Sequence, residues 1–160
     1  MISNSSTLIV GIGSPHGDDQ VGWEIARRIQ KSAEGFVDVH LARTPTDLLD
    51  YIHGYKQLII CDACHGAGGI GSDHHWDWPA EQLEGICWSG THQVSLTTVL
   101  ALAAQLDRLP SQVQIWGIEI EQSQPGHQMS EPVLEGAERV VGEILRYLGE
   151  STRLEGSQHA

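Results

Sequence analysis

The sequence has 160 residues, of which 40% are hydrophobic, and this size and composition predict a single domain with one buried core. Its 21 acidic and 9 basic residues give a formal net charge of −12, which argues against a nucleic acid or an anionic membrane as the main partner. No segment approaches the roughly 20 apolar residues of a membrane span, no basic-then-apolar leader opens the chain, and three cysteines do not suggest a disulfide framework, so we expect a cytoplasmic protein.

The chain opens with a predicted strand, Thr7–Val10, followed by a glycine-rich segment, Gly11–Gly22, and a predicted helix, Val21–Lys31. A glycine-rich turn between a strand and a helix is typical of phosphate binding, because its backbone N–H groups and the helix N-terminus attract anions. Here two carboxylates, Asp18 and Asp19, occupy the turn and would repel a phosphate. The segment therefore predicts a cation site instead.

The segments that follow continue the alternation of strands and helices. The further predicted strands are Val37–Leu41, Gln57–Asp62, a short and less buried strand at His74–Trp78, and Val113–Glu119. The further predicted helices run from a Thr44 cap through Tyr51, over Val94–Leu106, and from Ser130 onward, while Ala63–His75 is predicted to be a loop. This order predicts an α/β fold with a twisted, mostly parallel sheet between two layers of helices, in one domain over residues 1–148 with a solvated tail at 149–160.

Three polar residues stand where predicted strands end or predicted helices begin. Asp19 follows the first strand, Asp62 ends the strand before the long loop, and His92 precedes a helix. Sheets of this kind bind ligands at the carboxyl ends of their strands, so we expect the three side chains to share one edge. Two carboxylates and an imidazole leave coordination positions open for water or substrate, as in catalytic metal sites. This donor set suits nickel, zinc or manganese.

Each of these residues also has a purely structural explanation. Asp19 can cap the first helix, Asp62 can accept backbone N–H groups in the next turn, and a lone His92 is commonly a hydrogen-bonded surface residue. The other histidines of interest are predicted by default to be solvated loop residues. A second role stays open for each of them: His16 as a ligand or as a hydrogen-bond donor to a ligand, His127 as a residue lining the same edge, and His65, His74 and His75 as adventitious metal binders.

Cys61 and Cys64 match a C-x-x-C pattern, but the context differs from that of a redox motif. In such motifs the first cysteine stands at a helix N-terminus, whereas Cys61 falls within an apolar strand. No second C-x-x-C follows, so a zinc ribbon is not indicated. We predict that Cys61 is a core residue.

Taken in order, these motifs resemble those of the NiFe-hydrogenase maturation endopeptidases. The resemblance extends over nearly the whole chain and is carried by the Gly11–Gly22 segment, the strand ending in Asp62, His92-Gln93 before a helix, and Pro125-Gly126-His127 before the last helix. The chain differs from the usual pattern at Ser14, where asparagine is common, and at Asp19, where some members have glutamate.

The resemblance implies an α/β enzyme that removes the C-terminal extension of a hydrogenase large-subunit precursor after nickel insertion. It implies that Asp19, Asp62 and His92 are the catalytic set and contact nickel that arrives in the substrate, with zinc or another divalent metal able to substitute. Asp18 is a further candidate, as a general base. The expected partner is the precursor, without nucleic acid or membrane, in the cytoplasm.

Two other functions stay open on the sequence. A module of the same fold that binds nickel-containing precursor without cutting it is compatible with the loop Leu41–Pro45, where many members of the family carry Asp-Gly-Gly-Thr instead. A nucleotide-binding domain would use the glycine-rich segment, but Asp18 and Asp19 disfavour it.

Overall fold

The computed structural model describes residues 5–88, 94–121, 126 and 128–158, with side chains described through residue 150. The strands are β1 (Thr7–Ile12), β2 (Asp38–Ala42), β3 (Gln57–His65), β4 (Asp73–Asp77), β5 (Cys87–Trp88) and β6 (Gln112–Glu119). The α-helices are α1 (Val21–Ser32), α2 (Leu96–Gln105) and α3 (Glu131–Gln158), and short 3-10 helices cover Gly17–Gln20, Pro45–Asp50 and Glu81–Gly85.

The strands form one mixed sheet in the order β2-β1-β3-β6-β4, and β5 pairs with the end of β3. The strands β2, β1, β3 and β6 run parallel to one another, while β4 is antiparallel to β6 and β5 is antiparallel to β3. Every residue of β1 is buried, as expected for a strand covered on both faces. The predicted α/β fold with a mostly parallel sheet is confirmed.

Helices cover both faces of the sheet and divide the core in two. On one face α1 and α3 pack against side chains such as Ile9, Ile59 and Ile118. On the other face α2 and the 3-10 helix Pro45–Asp50 pack against the alternate residues, among them Ile60 and Ile115. The carboxyl ends of β1, β3 and β6 therefore emerge at one edge, between the two helical layers.

Strand β3 is longer than the sequence predicts. The prediction ends it at Asp62 and makes Ala63–His75 a loop, but β3 continues to His65. The extra residues are held by pairing that a local pattern does not reveal, because Cys64 lies opposite Glu119 of β6 on one side and Trp88 of β5 on the other. Cys64 therefore lies inside the sheet and not in the predicted loop.

The helical segments differ from prediction mainly at their ends. The segment after Thr44 is a 3-10 helix, Pro45–Asp50, whose start is capped as predicted by the Asp47 carboxylate accepting the Thr44 N–H. The backbone of α3 stays helical past Gly149 to Gln158, where the sequence predicts a tail. That stretch holds no proline, and Glu150, Arg153, Leu154 and Glu155 are good helix formers. None of the described helices combines the length and apolarity needed to cross a bilayer.

Candidate functional site

Two glycines bring the start of α1 against the sheet and so fix the turn that carries the acids. A Cβ added to Gly22 would lie 2.2 Å from the Ile12 carbonyl oxygen and 2.5 Å from that of Cys61. A Cβ added to Gly11 would lie 2.2 Å from the Gly22 oxygen. Only glycine permits this approach, so the helix start sits directly beside the residue that precedes Asp62. The spacing of these glycines thus serves close packing of a helix on two strands.

Asp19 lies in the 3-10 helix Gly17–Gln20, which we call the acidic turn, and its residue is only 8% exposed. The Ser14 hydroxyl donates to Asp19 Oδ2 at 2.5 Å, so the position at which asparagine is usual still supplies a donor. Among the residues that the structure describes, Asp19 Oδ1 has no hydrogen-bond partner. A buried carboxylate oxygen without a partner is unfavourable, and a cation would satisfy it.

Asp62 lies in β3 and is fully buried. Its Oδ1 accepts the N–H of Ala63 at 2.8 Å, which fixes the orientation of the carboxylate. Because β1 and β3 are parallel neighbours with Gly11 aligned to Cys61, Asp62 belongs to the same carboxyl edge as the loop that leaves β1. The acidic turn contacts β3 as well. The structure therefore brings Asp19 and Asp62 to one edge of the sheet, as the sequence predicts.

The predicted imidazole ligand, His92, lies outside the described residues, and so does His127. The described chain that precedes His92 reaches the same edge. Trp88, the last described residue before the gap, pairs with Cys64, which is two residues beyond Asp62 on β3. After the gap, the Ser95 hydroxyl accepts the Thr98 N–H and caps α2.

The Asp18 carboxylate has different hydrogen-bond partners from the Asp19 carboxylate. Its Oδ1 accepts the Ser130 N–H at 2.6 Å and its Oδ2 accepts the Ser130 hydroxyl at 2.9 Å. Ser130 directly precedes α3, and its carbonyl oxygen accepts the Leu134 N–H. The Asp18 carboxylate thus anchors the start of the last helix to the acidic turn, with both oxygens engaged.

Replacing Asp18 by alanine is therefore expected to lower the free energy of unfolding by about 1–2 kcal/mol, because two hydrogen bonds to a carboxylate are lost at a helix start. Urea denaturation followed by circular dichroism measures this. Asp50→Ala is the matched control, since Asp50 is exposed at the end of a 3-10 helix, and we expect it to change stability by less than about 0.5 kcal/mol. Equal effects of the two substitutions would contradict the anchoring role.

Of the remaining candidates, His16 is exposed and His75 stacks on Trp116 with ring centroids 4.1 Å apart. Cys61 is a core residue, as predicted, and its burial raises the pKa of its thiol. Cys64, three residues on in the same strand, lies on the opposite face of the sheet, because successive side chains of a strand alternate. The C-x-x-C pattern is therefore two separate buried thiols.

A cluster that the sequence analysis missed lies at the same edge, where β3, β6 and β4 meet. Cys64, His74 and Glu119 each place one potential ligand atom within 4.8 Å of the others. The Glu119 residue is 5% exposed, and its Oε1 accepts the Gly66 N–H at 2.6 Å. Burial and the nearby Glu119 carboxylate raise the pKa of the Cys64 thiol. The signal in the sequence was Glu119, a carboxylate that closes a predicted strand as Asp62 does.

The model of a family described as hydrogenase maturation protease matches residues 25–147. No curated protein matches the chain significantly.

Comparison with solved structures gives the same fold. The hydrogenase maturating endopeptidase HybD of Escherichia coli is 20% identical, with 91% of this chain and 93% of that chain covered and a TM-score of 0.74. The NiFe hydrogenase maturation protease HybD of Thermococcus kodakarensis is 24% identical, with 89% and 97% covered and a TM-score of 0.68. The maturation protease HycI of the same organism is 24% identical, with 89% and 92% covered and a TM-score of 0.68.

Proposed function

The chain belongs to the hydrogenase maturation protease family, and on that premise we propose that it removes the C-terminal extension of a NiFe-hydrogenase large-subunit precursor after nickel insertion. In this proposal Asp19, Asp62 and His92 contact the nickel that the precursor carries. The metal is part of the substrate and marks a precursor that is ready to be cut.

The observation that carries the proposal is the burial and hydrogen bonding of the Asp19 carboxylate. Its carboxylate is buried, held by Ser14 through Oδ2, and has an Oδ1 without a hydrogen-bond partner among the described residues. Such an oxygen is suited to accept a borderline cation such as nickel, and Asp62 supplies a second buried carboxylate at the same edge. Two carboxylates leave most of the coordination sphere of the ion to the precursor and to His92.

The reaction is hydrolysis of one peptide bond. Water adds to the scissile carbonyl carbon, the C–N bond breaks, and the released amine takes up a proton. Binding to Asp19 and Asp62 would hold the nickel-bearing end of the precursor, and so its extension, in a fixed position relative to the attacking water. Because both oxygens of Asp18 bind Ser130, we assign Asp18 to holding the turn and leave the general base to another group.

A cleft beside this edge offers room for the peptide near the scissile bond. Its volume is about 280 Å³, and Trp88 and Ser95, which flank the segment that contains His92, both contribute to its wall. The wall is mixed, because apolar residues such as Pro45 and Leu96 alternate with polar ones such as Glu84. We propose that a side chain of the extension occupies this cleft while the metal is held by the carboxylates.

The test compares nickel-loaded with nickel-free precursor in the presence of the protein, with precursor mass measured by mass spectrometry. We expect loss of the C-terminal extension from the nickel-loaded form and little or none from the nickel-free form. His92→Ala is expected to abolish processing of the loaded form. Equal processing of both forms would refute recognition through nickel, and a stable complex with unchanged mass would favour a binding module that does not cut.

A further inference from the structure

The Cys64–His74–Glu119 cluster shares no residue with the proposed function, although Cys64 lies only two residues beyond Asp62 on β3. It sits where the end of β3, the end of β6 and the start of β4 come together, with Cys64 opposite Glu119 and His74 opposite Gly117. Cys64 is fully buried, the Glu119 side chain is 6% exposed and the His74 side chain is 21% exposed. Three neighbouring strands thus contribute one thiol, one imidazole and one carboxylate to a nearly closed site.

The distances within the cluster are those of a metal site. Cys64 Sγ lies 3.6 Å from Glu119 Oε2, and His74 Nε2 lies 3.7 Å from the same oxygen. In a tetrahedral zinc site with Zn–S near 2.3 Å and Zn–N or Zn–O near 2.0–2.1 Å, two ligand atoms are about 3.3–3.6 Å apart. The ligand atoms of all three residues lie within 4.8 Å of one another, so the widest pair has to close by at most about 1.2 Å to reach this spacing.

A second observation concerns His74. Its Nε2 is buried and has no hydrogen-bond partner within the described part of the chain, and it faces Glu119 at a distance too long for a hydrogen bond. A buried imidazole nitrogen left in that state is costly in an ordinary structural cluster. Coordination of a cation to Nε2 removes the cost.

The surroundings hold the ligands in place. Glu119 Oε1 accepts the Gly66 N–H, and Oε2 accepts the Ala67 N–H at 3.1 Å while it also faces the other two ligands. A side chain at position 117 would collide with the sulfur, since a Cβ there would lie 2.9 Å from Cys64 Sγ. Trp76 stacks on His74 and meets Trp88 edge-on. Indole rings of this kind exclude water and strengthen the attraction between a cation and its ligands.

We propose that Cys64, His74 and Glu119 bind one Zn²⁺ ion, separate from the nickel carried by the substrate. Thiolate, imidazole and carboxylate are the ligand types of zinc, and three protein ligands leave a fourth position for water. On binding, the Cys64 thiol gives its proton to solvent while the neutral imidazole and the carboxylate coordinate directly. The ion ties together the ends of three strands next to Asp62, so it stabilises the edge on which the candidate site is built. The proposal does not depend on the proposed protease function.

The test uses cobalt(II) as a spectroscopic substitute for zinc on the full chain under reducing conditions. We expect one equivalent of cobalt to give thiolate-to-metal charge-transfer absorption in the near ultraviolet, and zinc to displace it. Cys64→Ser should abolish this absorption. His74→Ala, at a partly exposed position that is tolerant of change, should weaken metal binding by at least about 100-fold. Removing a residue that only hydrogen-bonds a metal ligand typically weakens metal binding by about 10–100-fold, and loss of a ligand itself should cost more.

Two matched controls separate this site from its neighbours. Cys87→Ser removes the exposed thiol of β5, and His75→Ala removes the imidazole on the opposite face of β4, so both should keep the absorption. Asp62→Asn should keep it as well, because Asp62 is not a ligand of the proposed ion. Absorption that survives in Cys64→Ser, no absorption in the unmodified chain, or loss of absorption in Asp62→Asn would each overturn the proposal.

Discussion

Replacing Asp62 by asparagine is expected to reduce the rate at which the nickel-loaded precursor is processed by at least about 100-fold. Mutating a residue that only hydrogen-bonds a metal ligand lowers activity by up to about 100-fold, and a residue that contacts the metal should matter at least as much. Asparagine has nearly the same shape and keeps an oxygen that can accept the Ala63 N–H now bound by Oδ1. The substitution removes the negative charge of a fully buried carboxylate, and that charge is what attracts a cation. Precursor mass followed over time measures the rate.

The control must show that the loss is not due to unfolding or to net charge. Asp77→Asn makes the same change of charge at a side chain that is 81% exposed at the end of β4, and we expect a normal rate. Circular dichroism should give a cooperative thermal transition for both variants. A normal rate for Asp62→Asn in a folded protein would exclude Asp62 from contact with the substrate's nickel.

Replacing Gly22 by alanine is expected to cost at least about 3 kcal/mol of unfolding free energy, the upper range for overpacked sites. The new methyl group would lie 2.2 Å from the Ile12 oxygen and 2.5 Å from the Cys61 oxygen, and both are backbone atoms of central strands that have no other position to take. Since domains of this size have a total stability of only about 5–15 kcal/mol, the variant should melt far below the unmodified protein. Differential scanning calorimetry measures the shift.

Gly142→Ala is the matched control, because Gly142 is also helical but exposed, and a Cβ there meets nothing within 4 Å. Alanine at such a position is expected to stabilise α3 by about 0.5–1 kcal/mol. The two substitutions add the same methyl group to helical glycines and should shift stability in opposite directions. A Gly22→Ala protein as stable as the unmodified chain would mean that α1 and the sheet separate easily, and the position of the acidic turn would then need another explanation.

Patterns local to the sequence were enough to predict much of this architecture. Alternating apolar strands and amphipathic helices predicted the α/β fold, and the rule that ligands bind at carboxyl ends of strands selected Asp19 and Asp62 before any coordinates. The glycines of the first loop indicated a turn between a strand and a helix, of the kind that binds phosphate. The structure adds a different reason for Gly22, close contact of α1 with two strands, which no single segment can reveal.

The parts that were missed depend on contacts between distant segments. The end of β3 was placed at Asp62 because the next residues are rich in glycine and histidine, but pairing with β5 and β6 extends the strand to His65. The cluster of Cys64 with Glu119 arises from that pairing across 55 positions of sequence. The sequence offers Asp18 as a candidate general base, whereas both of its oxygens bind Ser130, 112 positions away.

The bond between Asp18 and Ser130 also sets an order of events during synthesis. The acidic turn is made early, yet its anchor leaves the ribosome more than a hundred residues later. A nascent chain that already contains β1, β3 and both carboxylates therefore has no partner for Asp18 until the start of α3 has emerged. The acidic turn therefore reaches its final set of hydrogen bonds only after the start of α3 has been synthesised.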